Sequence, residues 1–367
     1  MSEVFDADLF ATAAYRILND YFEITLYRPG EKGVTFRADP RLHERGWKRA
    51  LSRRLAQMRA RAEITREGSQ YIISVRPLSH ALSMPPLLNI LLFIATFLSV
   101  LLAAAYREVG PAFRHDLTLL ATGLPFTLTL LGILLVHEMG HFIAGYRRGV
   151  VMSYPYFIPF PPFLELLAIG TFSLGTFGAV IKGRTPIRNR NDLIMIGASG
   201  PIAGAIPAMF ALIWGFMHSI VGTAPVGPAE GFIMGDSLVT WVVQWLTFGS
   251  LPDSAVIQLS PVGFAGYVGL LVTMLNLLPL GQLDGGHIIY GLVEKHQRRL
   301  AFLFLLCLLP LGFLWKGWWL WMVIAMIMRP FHPPVIDGAI PPDRRHRWIG
   351  WVAVVLFIIT FVPCPIR

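Results

Sequence analysis

Several long stretches of this chain carry no polar break. Residues 87–105, 117–145, 193–217 and 257–281 are almost wholly apolar. Each is near the ~20 residues that a helix needs to cross a bilayer core. The stretch 300–328 is also apolar but holds PLGFLWKGWW at its middle. It is read as two short spans, 300–314 and 317–328, with one long helix or a re-entrant hairpin as alternatives. A last run covers 348–362. The pattern predicts an α-helical polytopic membrane protein with about seven transmembrane helices.

Two regions break this pattern. Residues 1–86 alternate and turn: YFEITLYRPGEKGVTFRAD (21–39) reads as strands, 40–62 as a basic helix, and EITREGSQYIISVRP (63–77) as a hairpin around Glu67-Gly68. This predicts a small α+β domain on the cytoplasmic side, followed by a membrane domain over 87–367. Residues 150–192, which hold the loop 150–181, are apolar but rich in Pro, Gly and aromatics, which is poor helix material. GTFSLGTFGAVIKG within them reads as short strands with glycine kinks. Irregular backbone at membrane depth is tolerated only where protein or a water-filled cavity covers it. A re-entrant, β-like loop is therefore expected there. DSLVTWVVQWLTFG, in the loop 218–256, is read as an interfacial helix.

Composition supports the membrane class. Of 367 residues 54% are hydrophobic and 14% charged, where soluble domains carry about 25% charged residues. Mean hydropathy is +0.58. The net charge of +9 is explained by position and needs no nucleic-acid partner. Lys and Arg in alternate inter-span segments total 27 against 4, and 13 against 4 without the N-terminal segment. By the positive-inside rule the N-terminus is cytoplasmic and the C-terminus outside. The start MSEVFDADLF shows no secretory leader pattern. Two cysteines, Cys307 and Cys364, exclude a disulfide framework or a cysteine metal cluster.

The candidate chemistry lies in the second span. His137-Glu138-Met139-Gly140-His141 is an H-E-x-x-H motif inside an apolar run. On a helix, residues i and i+4 share a face, so both imidazoles can bind one zinc ion. Glu138 is about 100° round, within reach of a water on that ion. The competing explanation is an interhelical polar cluster. A catalytic zinc needs a third protein ligand, and FIAGYRRGVVMSYPYF downstream contains no Glu. His115, His218, His332 and His346 lie at span edges or in loops, where solvated histidines are expected. Asp284, in VTMLNLLPLGQLDGGHIIYG (272–291), stands at the cytoplasmic end of its span, as His141 does in its own. Two glycines follow Asp284 and are read as letting the backbone approach the metal. A helix cap or turn is the alternative role for that residue.

H-E-x-x-H in one span, N-x-x-P-x-x-x-L-D-G-G in a later one, and IGASGPIAG (196–204) between them resemble the site-2 protease family of intramembrane zinc metalloproteases. The likeness covers about 85–340 and is greatest to a bacterial, archaeal and plastid subgroup. It implies His137, His141 and Asp284 as ligands of one Zn2+ per chain, and Glu138 as catalytic base. It implies a three-helix core, here 117–145, 193–217 and 257–281. The implied reaction is cleavage of a membrane protein substrate within or near its transmembrane segment, near the cytoplasmic side, with loop 150–181 aligning the substrate. Asn276 matches the Asn that holds the substrate backbone in that family, with a helix–helix hydrogen bond as its alternative role. There is no PDZ-like insertion. Glu165 has no assigned role, and His287 is either a group supporting the site or a plain polar residue at a helix start. A proton- or metal-transporting bundle is the competing function class, although no inverted repeat marks the two halves. An inactive scaffold and a peptidase for soluble substrates complete the alternatives. Substrate identity and oligomeric state are not encoded legibly.

Overall fold

Alternation near the N-terminus resolves into an antiparallel sheet. The computed structural model describes residues 7–30, 33–41, 47–57, 60–77, 87–150, 152–160, 174–183, 187, 189–222, 234–252, 255–328, 330–332, 335 and 340–366. The chain divides into two units, Met1–Ser83 and Met84–Arg367. In the first, α1 (Ala7–Asn19) precedes β1 (Phe22–Gly30) and β2 (Gly33–Pro40), and α2 (Trp47–Gln57) precedes β3 (Ala60–Glu67) and β4 (Gln70–Pro77). Strand order is β1-β2-β4-β3. Phe36 and Ile64 both lie opposite Ile73. With Ala38 and Val75 they form a face covered by Ala14 and Leu18 of α1 and Leu51 and Leu55 of α2. The basic helix expected over 40–62 is shorter. Ala60, Ala62 and Ile64 alternate inward, so that stretch pairs with β4 instead. α1 is an element the sequence reading lacked. The β3–β4 turn falls where expected, with Gly68 at φ +64°.

The second unit is helical. α3 is Leu87–Val109, and α4 (Leu124–Arg147) follows a 3-10 turn, Leu117–Gly123. Then come α5 (Arg190–Met217), α6 (Leu238–Phe248), α7 (Pro261–Asn276), α8 (Asp284–Val293), α9 (Gln297–Leu314), α10 (Gly317–Ile327) and α11 (Arg344–Thr360). Among the described residues four helical stretches are long and apolar enough to cross a membrane: Leu87–Arg114, Leu117–Arg147, Arg190–Met217 and Asp284–Leu314. This is the architecture of a membrane protein.

The helices differ from the apolar runs in instructive ways. The run 257–281 gives a helix of only 16 residues. Ser260 caps it through Gly263 N, Pro261 occupies its first turn, and it stops at Asn276. The run 300–328 breaks at Trp315, whose backbone is extended. Its first half joins α8 through the 3-10 turn Glu294–His296. The segment read as an interfacial helix is α6, capped by Ser237.

α5 is the centre of the unit. It packs against α4, α7, α8 and α11. Over half of its apolar stretch is buried, 56%, against 22–39% for the other three spans. Small residues make this possible: a Cβ at Gly215 would stand 2.0 Å from Gly263 Cα of α7. Around these contacts Leu130 and Leu134 of α4, Ala208 and Leu212 of α5, and Val268 and Met274 of α7 form one core.

Within the region expected to be β-like, β5 (Tyr156–Pro159) pairs antiparallel with β6 (Thr176–Val180). Residues 161–173, including Glu165, lie outside the described residues. The strand pair is tied to α3. Asn89 Nδ2 donates to Tyr154 O (3.2 Å) and Pro155 O (2.8 Å), and Ser99 Oγ to Phe160 O (2.5 Å).

Candidate metal centre

α4 carries His137, Glu138 and His141, residues buried at 3%, 5% and 8% exposure. One turn of helix brings the two imidazoles together, with Nε2 atoms 3.3 Å apart. Asp284 is the first residue of α8. Its Oδ2 lies 3.2 Å from His141 Nε2 and 3.4 Å from His137 Nε2. Residues 143 positions apart thus converge on one point.

The loop between α7 and α8 delivers the carboxylate. Gly281, at φ +54°, donates its N–H to Pro330 O at 2.8 Å. Gly285 and Gly286 are needed for close packing within the chain. A Cβ on Gly285 would stand 2.0 Å from Leu277 O, and one on Gly286 2.3 Å from Gly281 O. The glycines let the preceding loop fold against the helix start, so they set where Asp284 sits.

α5 supports the imidazoles from behind. A Cβ on Gly200 would fall 2.1 Å from His141 Nε2, and one on Gly204 2.9 Å from His137 Cβ. The Ile196 carbonyl is 2.8 Å from His141 Nδ1. A carbonyl only accepts, so Nδ1 carries a proton, which leaves Nε2 as the ring nitrogen that could ligate an ion. Sequence reasoning missed this partner, because a backbone acceptor has no residue-type signature.

Asn276, the last residue of α7, joins the cluster with Nδ2 3.3 Å from His137 Nε2. His287, one turn beyond Asp284, pairs its Nδ1 with His332 Nε2 at 2.7 Å. The expectation of solvated loop histidines fails twice, since His332 and His346 are each 7% exposed and hydrogen-bonded. Both have partners far along the chain. His115 is exposed, and His218 stacks on Trp214 at 3.9 Å. Cys307 and Cys364 are free thiols.

The donor set can be tested against an ion. A tetrahedral site with bonds of about 2.0–2.1 Å places its donors about 3.3 Å apart. The three separations here are 3.2, 3.3 and 3.4 Å. Two imidazole nitrogens and one carboxylate oxygen also match the ligand types of catalytic zinc sites. Among the described residues these three form the one His/Cys/Asp/Glu group with such spacing.

Fold and cluster together define a helical membrane protein with a buried His–His–Asp donor set. The family model "Peptidase family M50" matches residues 125–306. The chain belongs to that family, the site-2 protease family. It is 30% identical over 247 residues to the protein named probable zinc metalloprotease EGY1, chloroplastic, of Arabidopsis thaliana, covering 65% of this chain and 43% of that one. The rice (Oryza sativa subsp. japonica) protein of the same name is 29% identical over 260 residues, with 69% and 43% covered. Arabidopsis thaliana EGY2, similarly named, is 26% identical over 258 residues, with 68% and 43% covered. The chain spans under half the length of these relatives. No solved structure matches it.

Proposed function

We propose that this protein is a zinc-dependent intramembrane endopeptidase that hydrolyses a peptide bond within or near a transmembrane segment of a membrane protein. The observation that carries the reading is the tetrahedral spacing of His137, His141 and Asp284 among apolar helices. These three residues would hold one Zn2+. When bound, the ion supplies Lewis acidity and lowers the pKa of a water to about 7.

Glu138 is the group that handles the proton. It sits one position after His137 on the same helix and is buried, at 5% exposure. Its carboxylate takes the proton as the water oxygen bonds to the scissile carbonyl carbon. It returns that proton to the amide nitrogen as the C–N bond breaks. Asn276 offers an amide to the substrate backbone beside the cleaved bond. A helical substrate hides its carbonyls in i→i−4 bonds and must open before attack. The β5–β6 pair supplies strand edges to which an opened segment can bond.

The site is assigned to the cytoplasmic side, with N-terminus inside, C-terminus outside and about seven passes. The alternation of basic segments supports this topology. α7, α10 and α11 are then the short spans, at 16, 11 and 17 residues. Residues 1–86 form a cytoplasmic domain apart from the catalytic one.

Metal analysis of the detergent-purified full chain is the first test. About one zinc per chain is expected in wild type, retained in Glu138→Ala and lost in Asp284→Ala. Cleavage of a transmembrane reporter should vanish in both variants and rise when helix breakers are placed in the cleaved segment. A folded wild-type protein that takes up no zinc on titration sinks the reading.

A further inference from the structure

The stretch NRND (189–192), at the start of α5, is not used by the proposed reaction. Asn189 caps the helix, its Oδ1 accepting from Asp192 N at 2.8 Å. Arg190 and Asp192 are two positions apart and so project about 200° apart round the helix. Each grips a different neighbour.

Arg190 is buried, with 9% exposure. Its Nε donates to Gly291 O at 2.7 Å and its Nη2 to Leu292 O at 2.8 Å. Those are carbonyls of the last turn of α8, which a helix leaves without internal partners. Asp192 Oδ1 accepts from Arg148 Nη1 at 2.8 Å, just past the end of α4. Gly291 lies seven residues after Asp284, and Arg148 seven after His141. Each grip is therefore about two turns, or ~10 Å, from the donor on the same helix.

The same few residues of α5 also touch the donor end. Ile196 O holds His141 Nδ1, and a Cβ on Gly197 would lie 3.2 Å from Asp284 O. α5 from 190 to 197 thus meets both donor-bearing helices at two points each. Two points fix rotation and slide where one does not. Arg148 Nη2 extends the link to His346 Nε2 of α11 at 2.6 Å.

We infer that Arg190 and Asp192, with Arg148, are positioning residues: a clip at the start of α5 that sets how closely Asp284 of α8 approaches His137 and His141 of α4. This rests on the metalloprotease reading of that cluster. The competing account is that they are ordinary helix caps, stabilising the bundle without setting the donor spacing.

Zinc release from the purified full chain separates these accounts. The rate is followed by competition with a zinc chelator, alongside the Tm of the zinc-free protein. Arg190→Met and Asp192→Asn should each weaken zinc retention about 10–100-fold, as losses of groups orienting metal ligands do. The charge exchange Arg148→Asp with Asp192→Arg should recover most of it. A lowered Tm with wild-type zinc release in both single variants overturns the proposal. Should Arg190→Met not fold, Arg190→Lys keeps the charge but cannot bridge two carbonyls with a planar fork. It should release zinc faster, and unchanged release overturns the proposal equally. A wild-type chain without zinc instead defeats the metalloprotease reading itself.

Discussion

The two units of this chain reach definite structures by opposite means. In Met1–Ser83 the interior is made of large side chains: Phe22, Phe36, Leu51, Leu55 and Ile73 are each at most 1% exposed. Polar residues alternate with them, so burial alone tells inside from outside. In Met84–Arg367 the outer surface is as apolar as the interior, with Phe210 at 70% and Phe313 at 82% exposure. Hydrophobicity cannot choose between helix faces there, since lipid tails are as apolar as leucine. Close glycine contacts and a few polar bonds choose instead. The lesson is that a glycine in the second unit does what a phenylalanine does in the first.

That contrast can be broken by exchanging the kinds of damage. Gly200→Val should have the largest effect. Its side chain would occupy the place of the His141 imidazole, so the purified chain should lose its zinc and, with it, its proteolysis. A variant that keeps its zinc shows that the glycine face is not what seats the histidine. Phe36→Ala should destabilise the N-terminal unit by about 3–5 kcal/mol, read by hydrogen exchange over 22–77, while zinc content stays at wild type. Loss of zinc in that variant collapses the distinction between the units.

Smaller changes sharpen it. Ser99→Ala leaves Phe160 O without its hydroxyl partner. Protection of the β5–β6 amides should drop by about 1–2 kcal/mol, the usual cost of such a loss. Unchanged protection means that the Ser99 bond is not what holds the strands, leaving Asn89 as their tie to α3. The smallest effect is one of pH. Hydrogen bonds from the His346 backbone and ring hold the Asp343 carboxyl below its ordinary range. A carboxyl depressed in the folded state adds stability above its unfolded pKa of about 3.9 and loses it as pH falls through the folded value. Thermal unfolding between pH 6 and pH 3 should show an acid loss that Asp343→Asn lacks, with Arg148 and Asn191 the other groups facing that corner.

The site was largely legible because its chemistry is conspicuous. His137, Glu138 and His141 are costly in an apolar run, and Asp284 stands in L-D-G-G where few acids occur. What escaped the sequence has no such label. The Ile196 carbonyl is a backbone atom, and buried His346 bonds Arg148, 198 residues away. Helix ends escaped for another reason. Hydropathy continues past Asn276, while Ser260 and Pro261 mark the true start of α7 by hydrogen bonding and ring geometry. The N-terminal strands were readable from alternation, but where α2 gives way to β3 was decided by pairing with β4.

The long separations also set a timetable. His141 meets Asp284 across 143 residues, and Arg148 meets His346 across 198. At synthesis rates of about 5–20 residues per second, the second gap alone takes roughly 10–40 s to translate. The first gap takes roughly 7–30 s at the same rates, and over it the two histidines are already made while the aspartate has yet to leave the ribosome. A nascent chain entering the membrane therefore carries two of the three donors, without the third, for that time.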